Sequence, residues 1–160
     1  MPRPARERMD APTLPQDAVE RLGPLDMGAV MALEKLCFAY QWTEAQFRLG
    51  LERGAYHILG IKRAGGLLAY VAFSVIKDEM EILNLAVHPE HRRQGLGEKL
   101  LAVTVEHCAA LGVRRGYLDV KRSNTAAIDL YRKFGFNQTG VRAKYYPDDG
   151  EDALLFEREF

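Results

Sequence analysis

The sequence predicts an α/β domain in which one mixed, mostly antiparallel sheet of about seven strands is flanked by about four helices. Three strand candidates follow one another over residues 56–87 with short turns between them, as in an antiparallel meander. Helix, strand and helix then alternate over residues 95–134. Two more strand candidates flank a Tyr-Tyr-Pro-Asp-Asp-Gly connection and close the chain as a hairpin.

The elements are justified in order. A short strand covers Ala18 to Leu22, and a helix follows Pro24 with Asp26 as N-cap and Met27, Val30, Met31, Leu33 and Leu36 at helical spacing. Thr43-Glu44-Ala45-Gln46 has capping-box spacing and opens a second helix that Gly54 ends. Strands over Tyr56 to Lys62, Leu67 to Ile76 and Glu79 to Val87 are turned by Ala64-Gly65-Gly66 and Lys77-Asp78. A long helix runs from Gly95 to Leu111, with Leu96, Leu100, Val103 and His107 or Cys108 on one side, and Gly112 closes it. Tyr117 to Lys121 is a strand, Thr125 to Phe134 a helix, and Phe136 to Lys144 and Ala153 to Phe160 the last strands.

The chain has 160 residues, enough for one domain that folds without disulfides or a structural metal. Lys+Arg and Asp+Glu both number 22, so no overall field draws it to nucleic acid or membrane, and neither is an expected partner. Cys37 and Cys108 fall in apolar helical stretches and read as buried, inert thiols. Residues 1–16 carry Pro2, Pro4, Pro12 and Pro15 without an apolar core, and read as a flexible tail rather than a secretory signal. Residues 17–160 are then a single domain, and a cytoplasmic location is expected.

The richest stretch runs from Ile82 through His88-Pro89-Glu90-His91-Arg92-Arg93-Gln94 to Gly95-Leu96-Gly97. A strand enters a glycine-containing loop that opens directly into a helix. Such a helix start presents unpaired N–H groups and the positive end of the dipole, and the two glycines remove side chains from its approach. It suits a phosphate or pyrophosphate. A Rossmann fingerprint needs a third glycine where Leu100 stands, and the Gly-Lys-Ser/Thr of a Walker loop is missing. His88-x-x-His91 has no third ligand beside it in this reading, so no metal site is expected.

Arg92-Arg93-Gln94-Gly95-Leu96-Gly97 resembles the Arg/Gln-x-x-Gly-x-Gly/Ala motif of the GNAT acetyltransferases, whose loop amides hold the pyrophosphate of acetyl-CoA. Leu118 to Phe136 is similar to the family's second signature, with Asn124 at the helix entrance and Ala-x-x-Leu-Tyr-x-x-x-Gly-Phe after it. Glu81 to Val87, Gln41-Trp42-Thr43-Glu44 with Phe47, and Lys144-Tyr145-Tyr146-Pro147 with Gly150 to Ala153 resemble the RimI branch, the bacterial N-terminal acetyltransferases of ribosomal proteins. The resemblance covers residues 18–160.

It implies the GNAT fold and acetyl-CoA as co-substrate. The acceptor it implies is the N-terminal alanine of a small-subunit ribosomal protein, attacking directly in a ternary complex. It gives Tyr131 the role of general acid beside the CoA sulfur. Asp119 is the first candidate base, although the branch carries Glu there and Asp is shorter by about 1.5 Å. Alternation puts Tyr117, Asp119 and Lys121 on one strand face, with Lys121 a candidate ion-pair partner for Asp119. Glu81 is the second candidate base. Leu85, Ala86 and Val87 would hold the pantetheine arm, Arg93, Gln94, Gly95, Leu96, Gly97 and Glu98 the pyrophosphate, and Asn124 the pantetheine chain. Arg92, Arg93, Arg132 and Lys133 read either as contacts to the adenosine phosphate or as solvated charges.

Trp42, Tyr145 and Tyr146 would frame the acceptor, and strand alternation would let only one of the two tyrosines face it. A monomer or weak dimer is expected. A small-amine acceptor and a non-catalytic acyl-CoA-binding module both remain open, because fold alone does not decide substrate class. Asp119 in place of Glu favours the module, whereas retained Tyr131 favours catalysis.

Overall fold

The computed structural model describes residues 17–38 and 43–160, so the predicted tail over 1–16 and Trp42 lie outside the described residues. Seven strands and four helices follow in the expected sequence: β1 (Val19–Arg21), α1 (Met27–Cys37), α2 (Glu44–Glu52), β2 (His57–Arg63), β3 (Gly66–Ile76), β4 (Glu79–Val87), α3 (Leu96–Ala110), β5 (Arg115–Lys121), α4 (Thr125–Lys133), β6 (Asn137–Arg142) and β7 (Ala153–Glu159). They form one sheet ordered β1-β2-β3-β4-β5-β7-β6. Only β4 and β5 pair in parallel, because α3 carries the chain back between them.

The meander forms where the turns allow it. Arg63 pairs with Gly66 across the two-residue loop of Ala64 and Gly65, at φ of 50° and 81°. That is the handedness a tight hairpin needs. The inner strand β3 is buried on both faces. Ala69, Val71 and Phe73 join the core under α3 and α4, while Tyr70 and Ala72 join the core under α1 and α2. The sheet thus separates two helical layers.

The helices hold for the expected reasons, with corrections at their ends. At the start of α2 the Thr43 hydroxyl accepts from Gln46 N–H at 3.2 Å and the Gln46 side chain accepts from Thr43 N–H at 2.8 Å, which completes the capping box. Asp26 does not cap α1 with its side chain. Instead it accepts from Gly23 N–H at 2.8 Å and from Lys62 Nζ at 2.7 Å, which fixes the 3-10 turn before the helix. Leu36 stands exposed on α1, and Glu34 takes the buried place beside Leu33. On α3 the buried stripe is Leu96, Gly97, Leu100, Leu101, Thr104 and Cys108, so Cys108 rather than His107 is the buried alternative and Thr104 takes the place expected for Val103. The strand β6 stops at Arg142, two residues short of the expected Lys144.

Candidate active site

The site begins where two strands separate. Pairing of β4 with β5 runs only from Glu79–Arg115 to Ile82–Leu118. Beyond that, β4 stays on β3 as far as Val87–Ala69, and β5 stays on β7 as far as Lys121–Ala153. A gap therefore opens beside residues 83–87. His88 N–H donates to Leu68 O at 2.7 Å, and antiparallel bonding alternates along the ladder. Ala86 consequently turns its backbone groups to β3, while Leu85 and Val87 turn theirs to the gap. Of the three residues expected at the gap, Leu85 and Val87 thus turn backbone groups to it and Ala86 does not. Val87 O already accepts from Cys37 Sγ at 3.4 Å and Arg92 Nε at 3.3 Å.

The loop after β4 leads into α3. Arg93 and Gly95 both adopt left-handed backbone, at φ of 61° and 78°. Gly95 is the N-cap and has no side chain with which to cap. Leu96, Gly97 and Glu98 form the first turn, whose N–H groups have no intrahelical acceptors, and the 15-residue helix aims its positive dipole end into the loop. Gly97 also has a packing reason. A Cβ there would sit 3.3 Å from Leu130 Cδ2 and 3.6 Å from Val87 Cγ2, so its small size lets α3 pack closely on α4 and β4. Glu98 places a negative charge at this anion-friendly helix start, and Lys133 of α4 neutralises it at 2.6 Å. Asn124 caps α4 by accepting from Ala127 N–H at 3.3 Å through its Oδ1, which fixes the orientation of its amide nitrogen.

On β5, Leu118 and Val120 point into the core, so Tyr117, Asp119 and Lys121 share the other face. Glu81 pairs with Tyr117 and lies on the same side. Glu81 is still inside the paired stretch, whereas Asp119 is the first residue of β5 beyond it. Desolvation raises the Glu81 carboxyl above its ordinary range, the Asp119 charge adds to the rise, and Arg142 opposes it. Tyr131 is buried on α4 with its ring 6.1 Å from Phe136. Its phenol is held protonated, first by burial and then by Tyr146. Tyr146 is itself pushed up to about 12 by burial and by the charge of Asp119. Tyr131, Tyr146, Asp119 and Glu81 thus form one electrostatic neighbourhood.

Two expectations fail here. Lys121 does not pair with Asp119; its ammonium reaches Asp148 at 2.7 Å and Asp149 at 3.0 Å. The connection between β6 and β7 brings two carboxylates to Lys121 at once. Tyr145 and Tyr146 are not on a strand, since β6 has ended, so alternation does not govern them. Their rings meet edge to face at 5.2 Å. Tyr146 packs under Lys121 Nζ, and Tyr145 stands exposed under Arg142.

Sequence reasoning did not single out two charged groups. The charge of Arg142, at the end of β6, acts on Glu81 and opposes the rise of its carboxyl. Glu34 is a wholly buried carboxylate on α1. The loop also supplies a third metal-ligating group that the sequence reading did not count, Glu90, whose ligand atom lies within 4.8 Å of those of His88 and His91. Cys37 is half-buried rather than buried, and burial raises both its thiol and that of Cys108, the latter to about 11. Arg132 lies over the Phe156 ring, 5.9 Å from its centroid. Among the described residues no helix is long and apolar enough to cross a membrane.

Comparison with known proteins agrees with this geometry. The profile of the Acetyltransferase (GNAT) family matches residues 27–136. A Bacillus subtilis relative, named provisionally as a ribosomal protein bS18 alanine N-acetyltransferase, is 39% identical over 86% of this chain and 92% of its own length. The Escherichia coli ribosomal protein bS18 alanine N-acetyltransferase is 33% identical over 87% and 95%. The crystal structure of the Escherichia coli ribosomal-protein-S18-alanine N-acetyltransferase superposes with a TM-score of 0.84 over 90% of this chain and 94% of that one, at 33% identity. A PaiA N-acetyltransferase from Thermoplasma acidophilum, solved with coenzyme A, shares the fold at 16% identity, with a TM-score of 0.76 over 91% of this chain and 99% of that one. The chain thus belongs to the Acetyltransferase (GNAT) family as an acyltransferase.

Proposed function

We propose that this chain moves the acetyl group of acetyl-CoA to the N-terminal α-amine of a protein, the N-terminal alanine of a small-subunit ribosomal protein, by direct attack in a ternary complex. The observation that carries the reading is the parting of β4 from β5. It leaves the backbone of Leu85 and the N–H of Val87 turned to the gap, between an uncapped helix start on one side and two carboxylates with a buried phenol on the other. Relatives that match nearly their whole length and are named for this acceptor support the choice.

The residues fit acetyl-CoA by their chemistry. Backbone N–H groups from Arg93 to Glu98 suit the pyrophosphate. The gap-facing backbone of Leu85 and the N–H of Val87 suit an extended amide-bearing arm, as a strand partner would. Asn124 offers its remaining amide donors to the same arm, and Leu85 N–H suits the thioester oxygen. Acetyl-CoA supplies the activated acyl group. Asp119 accepts the proton that the α-amine loses as its nitrogen bonds to the acyl carbon. Tyr131 O–H donates its proton to the thiolate as the C–S bond breaks, and burial keeps that proton on the phenol until then. Asp119 is preferred to Glu81 because it lies in the gap itself and neighbours Tyr146, which in turn neighbours Tyr131. Tyr145 and Tyr146 frame the acceptor. Both thiols are raised by burial, which argues against an acyl-cysteine intermediate.

The test is acetyl transfer from acetyl-CoA to an alanine-initiated hexapeptide and to its N-terminally blocked copy. Modification of the free peptide alone is expected. Equal modification of both would move the acceptor to a side chain, and binding of acetyl-CoA without transfer to either would turn the search to small amines.

A further inference from the structure

A fully buried carboxylate sits outside the machinery described above. Glu34, on the inner face of α1, is 0% exposed. Its Oε1 accepts from Tyr70 O–H of β3 at 3.0 Å and from the Asn84 side-chain amide of β4. Burying a carboxylate is costly, and an apolar side chain of the same volume would hold a core at least as well. Core stability is therefore a poor reason for Glu34, and its placement suggests a better one.

The Asn84 side chain marks a bulge. The ladder between β3 and β4 steps from Ala72–Asn84 to Phe73–Ile82 and passes over Leu83. Leu83 and Asn84 therefore both face the α1 layer, although they are neighbours in the chain. Ile82 is the last β4 residue paired with β5, and Leu85 is the first to turn its backbone to the gap. Asn84 sits between them, at the point where the strands part. One turn further along α1, Cys37 Sγ donates to Val87 O. Residues three apart share a helix face. The same face of α1 thus grips β4 at Asn84 and at Val87, on either side of Leu85.

We propose that Glu34 is a positioning residue for acyl transfer: from α1 it holds the Asn84 amide at the β4 bulge and so sets the parting of β4 from β5 that presents Leu85 and Val87. Tyr70 orients the acceptor oxygen by its own hydrogen bond. The role needs an acceptor at this place and not a charge, so glutamine can fill it and alanine cannot. The proposal rests on the acetyltransferase reading.

The experiment compares Glu34→Gln, Glu34→Ala and Asn84→Ala in the full chain. It reads kcat and KM for acetyl-CoA with the alanine peptide, the acetyl-CoA Kd by calorimetry, and Tm. Misplacing the edge should cost Glu34→Ala and Asn84→Ala at least about tenfold in kcat/KM for acetyl-CoA, with a weaker Kd, while Glu34→Gln stays within about threefold of the parent. Asn84 is only partly buried, so its variant keeps the test open if Glu34→Ala does not fold. A lower Tm with unchanged kcat, KM and Kd would reduce Glu34 to a structural residue. Loss in Glu34→Gln as large as in Glu34→Ala would overturn the acceptor role. A parent chain that binds acetyl-CoA yet acetylates no peptide defeats the peptide acceptor alone, and the Kd series then still decides on Glu34. A parent that binds no acetyl-CoA overturns both.

Discussion

In the function proposed above, the chain from Leu85 to Glu98 would act through backbone: a strand edge turned to the gap, a left-handed loop and an uncapped helix start. The proposed acceptor side, Glu81, Asp119, Tyr131 and Tyr146, comes from β4, β5, α4 and the β6–β7 connection and would act through side chains. The first region is contiguous in sequence and tolerant of side-chain identity except at glycine. The second is assembled from distant segments and depends on register. The difference predicts where substitutions act. Changes on the acceptor side should lower turnover with acetyl-CoA affinity intact, and changes in the loop should do the reverse.

Tyr131→Phe is the strongest way to break this comparison. It removes one hydroxyl from a buried ring and leaves the packing on Phe136 in place. Loss of the general acid should lower kcat by about 100-fold or more, with the acetyl-CoA Kd unchanged. Turnover equal to the parent would remove Tyr131 from the chemistry. Asp119→Asn comes next, with an expected loss of about tenfold or more at neutral pH. The sign of the pH effect separates the two carboxylates. The Asp119 charge raises Glu81, so its removal lets the Glu81 carboxyl fall. If Glu81 is the base, the acid limb of the pH–rate profile moves to lower pH and the neutral rate survives. If Asp119 is the base, the neutral rate falls.

Gly95→Ala tests the other region. Its φ of 78° is left-handed, and a Cβ there costs about 1–2 kcal/mol although nothing stands within 4 Å of it. The loop should relax away from that geometry, and the acetyl-CoA Kd should rise about tenfold while kcat at saturation holds. Unchanged affinity, measured by calorimetry, would show that the loop amides are not what hold the anion.

The same contrast explains what was legible in the sequence. Gly95 and its loop were readable because a left-handed N-cap before a long helix is a local pattern. The capping box at Thr43 was readable for the same reason. Asp119, Glu81 and Tyr131 were found only through resemblance, since nothing local separates a catalytic carboxylate from a surface one. Lys121 was misassigned because its partners, Asp148 and Asp149, lie on a loop that the closing hairpin folds back over β5. Glu34 was missed because it interrupts an apolar helical face, and its reason lies across the sheet in Asn84 and Tyr70. The Leu83 bulge could not be read either, since a ladder register is a property of two strands.

Glu81→Gln sharpens the comparison with the smallest effect. A carboxyl whose folded-state pKa is raised is disfavoured in its ionised form by folding. Its ionisation therefore weakens the fold as pH rises through the unfolded and then the folded value. Glutamine has no such charge. At neutral pH Glu81→Gln should melt slightly higher than the parent. The difference should shrink as pH falls towards the ordinary carboxylate range and Glu81 takes up its proton. Its kcat should fall less than that of Asp119→Asn. A Tm equal to or below the parent's at neutral pH would mean that desolvation and the Asp119 charge do not burden Glu81. A kcat below that of Asp119→Asn would move the proton-accepting role from the gap to the paired stretch of β4.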